Sequence, residues 1–305
     1  GKFYRTFYFM VPKHYFQRSL LSNLKNWYLQ LQAQRRIGSD PRMGPARPPK
    51  DYTLQFSESF ETPLDWEVWR TGFPWGRNVH PDWQWKWWPH QSELTSHPVV
   101  YPTPDGLALE LRKFSRDFSA AQLPPWQKKN AAEQWTAPYC MGCISSKQTY
   151  KFGWFEAEIK IPAGRGQWAA FWLSGSENWP PEIDIFETYY ADEQLWVKPN
   201  VHFGNAGTWK DGKRDMGQPL IPLANPADRW IKYACHWTED WIRFYYDGYL
   251  VYEMTIPMAL KQNAQEQYII LNNGCENPAE LGFDPAESGM LVRNLKVYQH
   301  KNWID

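Results

Sequence analysis

From Asp51 onward the chain is built of short apolar and β-branched segments separated by turn residues. Roughly a dozen such segments can be counted, which is typical of an all-β domain. The Asp247-Gly248 pair stands between two aromatic-rich segments and has the composition of a two-residue hairpin turn. Helical periodicity is weak, and residues 257–263 are the best candidate for a helix. Because so many half-buried strands need a second layer to cover them, the pattern predicts two packed sheets over residues 51–305.

Residues 1–50 differ from the rest of the chain in charge and periodicity. They carry ten Lys or Arg against one acidic residue, a net charge of +9, whereas the whole chain is neutral. Apolar residues at three- and four-residue spacing between Lys13 and Arg36 predict an amphipathic helix that ends at Gly38. A linker with four prolines then covers residues 39–50. We expect a separate N-terminal region, either packed on the β domain or serving as an arm for assembly or self-association.

Several classes of protein are disfavoured by the composition. No run of 18 apolar residues occurs, so no membrane-spanning helix is expected. The basic residues of the N-terminal region form no single stripe, which argues against a nucleic-acid partner. A second Cys-x-x-Cys does not follow Cys140 and Cys143, so we expect buried free thiols and no metal site. The chain is 17 % aromatic, with 20 Trp, and this surplus suggests stacking surfaces for sugar rings.

One β-prone run, residues 179–188, contains three carboxylates: Glu182, Asp184 and Glu187. Side chains alternate along a strand, so Glu182 and Asp184 point to the same face and Glu187 should point to the other. One extra residue around Ile185-Phe186 would restore the parity and bring all three to one face. The alternative is an edge strand whose charges prevent aggregation.

The spacing of the two glutamates favours catalysis. With the extra residue, their Cα atoms would lie roughly 13 Å apart at ~3.3 Å per residue. Glutamate side chains that lean inward would leave about 5–6 Å between the carboxyl groups, which is the separation found in retaining glycosidases. In such enzymes one carboxylate is the nucleophile and the other the acid/base.

At this point the chain resembles glycoside hydrolase family 16, in the branch with the bulged motif Glu-x-Asp-x-x-Glu that includes laminarinases, agarases and carrageenases. The resemblance implies a β-jelly-roll sandwich of two curved antiparallel sheets, with a concave substrate cleft. It also implies a retaining, endo-acting hydrolase of β-linked polysaccharides, with Glu182 as nucleophile, Glu187 as acid/base and Asp184 as the residue that tunes both. The matching passages are residues 56–61, 64–69, 105–111, 145–162, 166–173, 233–247 and 290–298.

The resemblance also assigns residues that would contact the substrate. Trp168 and Trp172 lie an even number of positions apart on one predicted strand, so both should face the cleft. Asn200 and His202 share a face in the same way, and His202 is expected to bond to the substrate or to Glu187. Core packing and a structural role are the alternatives for these side chains.

The loop of residues 75–88 contains five tryptophans in fourteen residues. Trp83, Trp85 and Trp87 alternate, and we expect them to form an aromatic rail on one face, unless they plug the end of the sandwich. Arg77, in the same loop, could meet a sulfate or carboxylate group of the substrate. The Trp-x-Trp pattern resembles the agarase, porphyranase and carrageenase branches, so a galactan is slightly favoured over a β-1,3- or β-1,3-1,4-glucan.

Three further expectations follow from the resemblance. The aspartate that binds a structural ion in the last strand of this family corresponds to Arg293, so we expect no metal at that position and no cofactor. A jelly roll that binds carbohydrate without cleaving it remains the alternative from another class. An enzyme of this kind is expected outside the cell, in the periplasm, or on the surface of a cell or particle. Because the chain begins with Gly1, the lack of a signal peptide in this sequence is uninformative.

Overall fold

The computed structural model describes residues 24–25, 28–29, 31–32, 37, 44–76, 78–80, 83–123, 133–191, 194–204, 212–215, 221–222, 229–276 and 289–304. Nearly all of the regular structure in these ranges is β. The strands, in chain order, are β1 Tyr52–Glu58, β2 Trp69–Thr71, β3 Lys86–Trp87, β4 Val100–Thr103, β5 Gly106–Leu109, β6 Leu111–Arg112, β7 Arg116–Ser119, β8 Gln134–Ala137, β9 Tyr139–Tyr150, β10 Gly153–Lys160, β11 Gln167–Gly175, β12 Glu182–Ala191, β13 Gln194–Gly204, β14 Gly212–Asp215, β15 Ile221–Pro222, β16 Ile231–Trp237, β17 Trp241–Tyr246, β18 Tyr249–Thr255, β19 Gln267–Cys275 and β20 Met290–His300.

Two large sheets pack face to face, as the strand pattern predicted. The eight-stranded sheet has the order β18-β17-β16-β10-β20-β5-β4, with β1 also paired to β20. The ten-stranded sheet has the order β14-β13-β12-β11-β19-β9-β2, with short strands added at β9 and β13. Neighbours along both orders are antiparallel. Together with the structural comparisons reported below, this arrangement is a jelly-roll sandwich.

The core lies between the two sheets and follows the two-residue period of the strands. In β17, Ile242, Phe244 and Tyr246 are fully buried, whereas the alternate residues face outward. In β11, Phe171 and Leu173 are fully buried in the same core. The Asp247-Gly248 turn adopts positive φ angles of 48° and 75°, as a two-residue hairpin requires, and joins β17 to β18.

The predicted strands are present, with ends that differ by a few residues, and the predicted helix is α1 (Met258–Gln262). The sequence did not reveal β7 and β8, which form a separate two-stranded sheet. None of the described helices is long and apolar enough to cross a lipid bilayer. All four cysteines are buried and none is in a disulfide.

The N-terminal region is described only in part. Residues 24–25, 28–29 and 31–32 are helical, and the remainder of the predicted helix lies outside the described residues. The described contacts are with the β domain of the same chain: Lys25 pairs with Glu253, and the amide of Gly44 donates to the carbonyl of Asp247 at 2.7 Å. These contacts agree with packing on the β domain and give no support to self-association. The domain boundary near residue 50 stays a prediction.

Candidate active site

A cleft of about 750 Å³ lies on the outer face of the ten-stranded sheet. Its floor is formed by β11, β12, β13 and β19, and its wall by residues of the 73–86 loop. Glu182, Asp184 and Glu187 all line it. A strand of regular period could not present all three to one face.

The explanation is a register shift in the middle of β12. Across β11, Asp184 pairs with Trp172 and Phe186 with Phe171, so Ile185 is one residue too many. The ladder with β13 is shifted between Asp184 and Glu187 as well. The extra residue therefore stands where the parity of the carboxylates predicted it, and Ile185 is fully buried.

Glu182 and Glu187 have different hydrogen-bond partners. The indole N–H of Trp179 donates to Glu182 Oε2 at 2.8 Å, and that of Trp168 donates to Glu187 Oε1 at 3.1 Å. His202 Nε2 lies 3.2 Å from Glu182 Oε1, so of the two glutamates His202 faces Glu182, and its expected contact with the substrate stays a prediction. Asn200 is the residue that reaches Glu187, with Nδ2 at 3.5 Å from Oε2.

Glu182 and Asp184 hold protons that free carboxyl groups would have lost. Burial, followed by the charge of Asp184, raises the pKa of Glu182 to about 8. Burial and the neighbouring Glu187 raise the pKa of Asp184 well above its ordinary range. Trp179 and His202 stabilise negative charge on Glu182, whereas Oδ2 of Asp184 has no hydrogen-bond partner. When Glu182 and Asp184 share one proton, it therefore resides more favourably on Asp184. Glu182 can then be the carboxylate anion.

Glu182, Asp184 and His202 also have the composition of a divalent-cation site, since one possible ligand atom of each lies within 4.8 Å of the others. The imidazole Nε2 is 3.2 Å from Glu182 and 3.4 Å from Asp184. The hydrogen bond of this nitrogen is with Asn200 Nδ2, at 3.0 Å, so partners within the protein account for the position of the imidazole. At Arg293, where the sequence predicts no structural ion, the guanidinium group bonds to Glu158 at 2.6 Å and lies over the ring of Trp230.

Aromatic rings form one wall of the cleft. Trp168 and Trp172 both line it, as predicted, and the indole of Trp172 donates to Asn272 Oδ1 at 2.7 Å. Phe73 lies with its ring centroid 5.7 Å from that of Trp172, and Trp75 stacks on Phe73 at 4.9 Å. Trp75 is 39 % exposed, so its ring is accessible to a ligand. This arrangement suits the C–H faces of sugar rings.

The predicted rail of Trp83, Trp85 and Trp87 is wrong. Trp83 begins a 3-10 and turn segment, and β3 contains only two residues, so the period of a strand does not apply. Only Trp83 lines the cleft. Trp87 is fully buried in the core and donates to the carbonyl of Phe114 at 2.7 Å, while the indole of Trp85 donates to the carbonyl of Cys275. Arg77 lies outside the described residues.

Lys86 lies in the cleft, with partners within the protein that the sequence did not indicate. Its side chain is 3 % exposed, and Nζ lies 4.7 Å from the ring centroid of Trp83 and 4.5 Å from that of Trp168. Nζ also donates to the carbonyl of Cys275 at 3.0 Å. The ammonium group thus joins two cleft tryptophans, and one of these is the partner of Glu187.

Replacement of Lys86 by Met is expected to change how stability depends on pH. Burial lowers the pKa of Lys86 to about 8 from an ordinary value of 10.5, so between these values the unfolded chain binds more protons. The parent should therefore gain stability relative to Lys86→Met as pH rises from 7 to 10.5, by up to about 3 kcal/mol. Urea unfolding at several pH values measures the difference. The exposed Lys50→Met serves as the control, and a difference independent of pH would contradict the argument.

Other cleft residues were also missed by sequence reasoning. Asn272 is a polar residue at a cleft-facing position of an apolar strand, and this was a usable signal. Phe73 and Trp75 come from a turn about a hundred residues before β12, and nothing local indicated that they would meet it. Trp179 directly precedes the carboxylate run, but the following Pro180-Pro181 concealed its direction.

The profile of the family described as "Glycosyl hydrolases family 16" matches residues 83–272, which is more than half of the chain and includes Glu182, Asp184 and Glu187. The chain belongs to glycosyl hydrolase family 16. Similar proteins include an endo-1,3-1,4-beta-glycanase, EglC, of Rhizobium meliloti, 32% identical over 167 residues. A beta-glucanase of Rhodothermus marinus is 32% identical over 183 residues. The matches cover 52% of this chain in both cases, and 33% and 60% of those proteins.

Solved structures share the fold of this family-16 chain. SCLam, a non-specific endo-beta-1,3(4)-glucanase from family GH16, superposes with a TM-score of 0.65 at 22% identity, over 90% of this chain and 99% of that one. LamAcat from Zobellia galactanivorans gives a TM-score of 0.60 at 20% identity, over 81% and 98%. At these identities the likeness establishes the jelly-roll fold.

Proposed function

We propose that this chain is a retaining, endo-acting hydrolase of β-1,3- or mixed β-1,3-1,4-linked glucan. The observation that carries the proposal is the trio Glu182, Asp184 and Glu187 on one face of β12, inside a cleft with an aromatic wall. Membership of family 16 supports the reaction class. The names of the relatives support the glucan, and this reverses the slight preference for galactan drawn from the Trp-rich loop.

In the first step, Glu182 attacks the anomeric carbon and the bond from that carbon to the glycosidic oxygen breaks. Glu187 gives its proton to the departing oxygen. Glu182 must be anionic at this moment, and the hydrogen bond from Trp179 together with the nearby imidazole of His202 favours that state. Asp184, whose raised pKa keeps it protonated, can donate a further hydrogen bond within the trio.

In the second step, Glu187 removes a proton from water, and the water oxygen replaces Glu182 at the anomeric carbon. Two displacements at one carbon restore its original configuration. Trp168 holds one oxygen of Glu187 and Asn200 approaches the other, so its carboxyl group stays oriented through both proton transfers. The cycle returns both glutamates to their starting states.

A galactan with anionic groups is the second candidate. Lys86, Lys198 and His80 line the cleft, and cations of this kind would suit sulfate or carboxylate substituents. A neutral glucan does not need them. Lys86 already has partners within the protein, however, so this observation weighs less than the names of the relatives.

A panel of laminarin, barley mixed-linkage glucan, agar, porphyran and carrageenan tests the proposal by the release of reducing ends. We expect cleavage of laminarin or of mixed-linkage glucan, with chain length falling early, and β-anomeric product in proton NMR immediately after cleavage. Cleavage of galactans alone would select the second candidate. Early α product would contradict retention, and binding without cleavage of any glycan would indicate a non-catalytic jelly roll.

We also propose that the chain acts outside the cytoplasm, in the periplasm, in the medium or on a surface. The basis is the substrate, because a polysaccharide of this size does not cross a membrane unaided. Fractionation of the source cells with an antibody against the chain would test this, and a purely cytoplasmic signal would contradict it.

A further inference from the structure

The extra residue of β12 lacks a regular partner in its own sheet. Asp184 pairs with Asn200 and Glu187 with Lys198, so Ile185 and Phe186 together face one residue of β13, Pro199. Proline has no N–H group and cannot donate to a neighbouring strand. The backbone at the register shift therefore needs a donor from elsewhere, because a buried carbonyl without a partner is costly.

That donor comes from the opposite sheet. Tyr246, on β17, donates its hydroxyl to the carbonyl of Ile185 at 3.0 Å. Both side chains are fully buried. Burial raises the pKa of Tyr246 well above its ordinary range, so the hydroxyl keeps its proton and remains a donor. This is a contact between the two sheets, directed at the extra residue of the catalytic strand.

The position of the extra residue decides which way Glu187 points. If it moved past Glu187, the alternation of β12 would return Glu187 to the core face, away from Glu182. A smaller displacement would still move the carboxyl group away from the indole of Trp168, to which it bonds at 3.1 Å. The hydrogen bond to Ile185 opposes both changes.

We propose that Tyr246 is a positioning residue that holds the bulge of β12 and thereby orients Glu187. The inference rests on the proposed function, in which Glu187 is the acid/base. Tyr246 touches neither the substrate nor the reacting atoms and acts only through the backbone of Ile185.

A neighbouring tyrosine provides a matched control. Tyr233 pairs with Tyr246 across β16 and β17, its ring lies 4.8 Å from that of Tyr246, and it is fully buried as well. Its ring packs on Phe186 of the same catalytic strand at 4.2 Å. Among the described residues, however, its hydroxyl has no hydrogen-bond partner. Tyr→Phe therefore removes a hydroxyl oxygen at both positions. At Tyr246 the hydrogen bond to the bulge is lost with it, whereas at Tyr233 no such bond is lost.

The experiment compares Tyr246→Phe with Tyr233→Phe. The first readout needs no substrate: the indole N–H resonance of Trp168, assigned with Trp168→Phe, reports the bond to Glu187. The second is kcat and KM on laminarin. The third is kcat/KM on 2,4-dinitrophenyl β-laminaribioside, which reports the first displacement alone and whose leaving group needs no proton; losses on the two substrates are compared as kcat/KM. Thermal unfolding of each variant separates loss of folded protein from loss of rate. Phe fills the same space as Tyr, so both variants are expected to fold.

For Tyr246→Phe we expect a shifted Trp168 resonance and a kcat on laminarin lower by about 10- to 100-fold, with KM nearly unchanged. The loss should be smaller on the dinitrophenyl substrate, because protonation of the leaving group no longer limits the first step. Tyr233→Phe should match the parent in every readout. An unshifted resonance with parental kcat, or equal losses on both substrates, would overturn the proposal. Inactivity of the parent on both laminarin and mixed-linkage glucan would instead contradict the proposed function, and the resonance would still decide the role of Tyr246.

Discussion

Glu182→Gln is expected to abolish hydrolysis and, at alkaline pH, to stabilise the protein. Without the nucleophile, kcat/KM should fall on the order of 10⁴- to 10⁶-fold. The raised pKa of Glu182, about 8, means that the folded state holds this proton at pH values where the unfolded chain, near 4.5, has released it. The parent therefore loses stability as pH rises from 4.5 through 8, and the variant, which cannot ionise, does not.

At pH 9 the free energy of unfolding of Glu182→Gln should exceed that of the parent by about 2–4 kcal/mol, and the gain should vanish at pH 4. Urea unfolding at both pH values and reducing-end assays measure the two effects. Glu156→Gln is a matched control in the opposite sheet, since its carboxylate accepts from the indole of Trp154 at 2.8 Å, as Glu182 does from Trp179. Parental activity of Glu182→Gln would remove the catalytic assignment. Loss of activity together with a gain in stability is expected of a residue that serves catalysis and destabilises the folded protein.

Glu187→Ala should lower kcat on laminarin by about 10²- to 10⁴-fold, the usual contribution of an acid/base. Azide is expected to restore turnover of 2,4-dinitrophenyl β-laminaribioside, because azide attacks the glycosyl-enzyme without needing a base. The product should be the β-glycosyl azide, identified by NMR, since two displacements still occur at the anomeric carbon.

The configuration of this azide product distinguishes the two glutamates. Azide attack on the substrate in a protein without its nucleophile is a single displacement and gives the α-glycosyl azide. We therefore expect α product from Glu182→Ala and β product from Glu187→Ala under the same conditions. The opposite result would exchange the roles of Glu182 and Glu187, and no rescue in either variant would contradict a covalent intermediate.

Local sequence was sufficient for the features that depend on the period of a strand. The parity of Glu182, Asp184 and Glu187 required one extra residue, and the register shifts between Asp184 and Glu187. The same period placed Trp168 and Trp172 in the cleft. Each of these statements needs only the alternation of side chains within one strand, so neighbours from other parts of the chain do not change it.

The errors arose where that period was applied outside a strand. Trp83, Trp85 and Trp87 alternate in sequence, but β3 is two residues long, so Trp87 enters the core and Trp85 bonds to the carbonyl of Cys275. The side chain of a loop tryptophan is equally suited to stacking on a sugar ring and to packing in a hydrophobic core. The choice between the two depends on where the loop packs.

The sequence by itself thus determined a two-sheet sandwich, the catalytic carboxylates and the need for a bulge between them. Only the tertiary structure decided what surrounds them: the aromatic wall from the 73–75 turn, the buried Lys86 between two tryptophans, and Tyr246 under the bulge. The physical reason is the range of the interactions. Strand alternation is fixed by adjacent peptide units, whereas these partners come from segments about 60 to 110 residues away along the chain and meet β12 only when the ten-stranded sheet assembles and the second sheet packs on it.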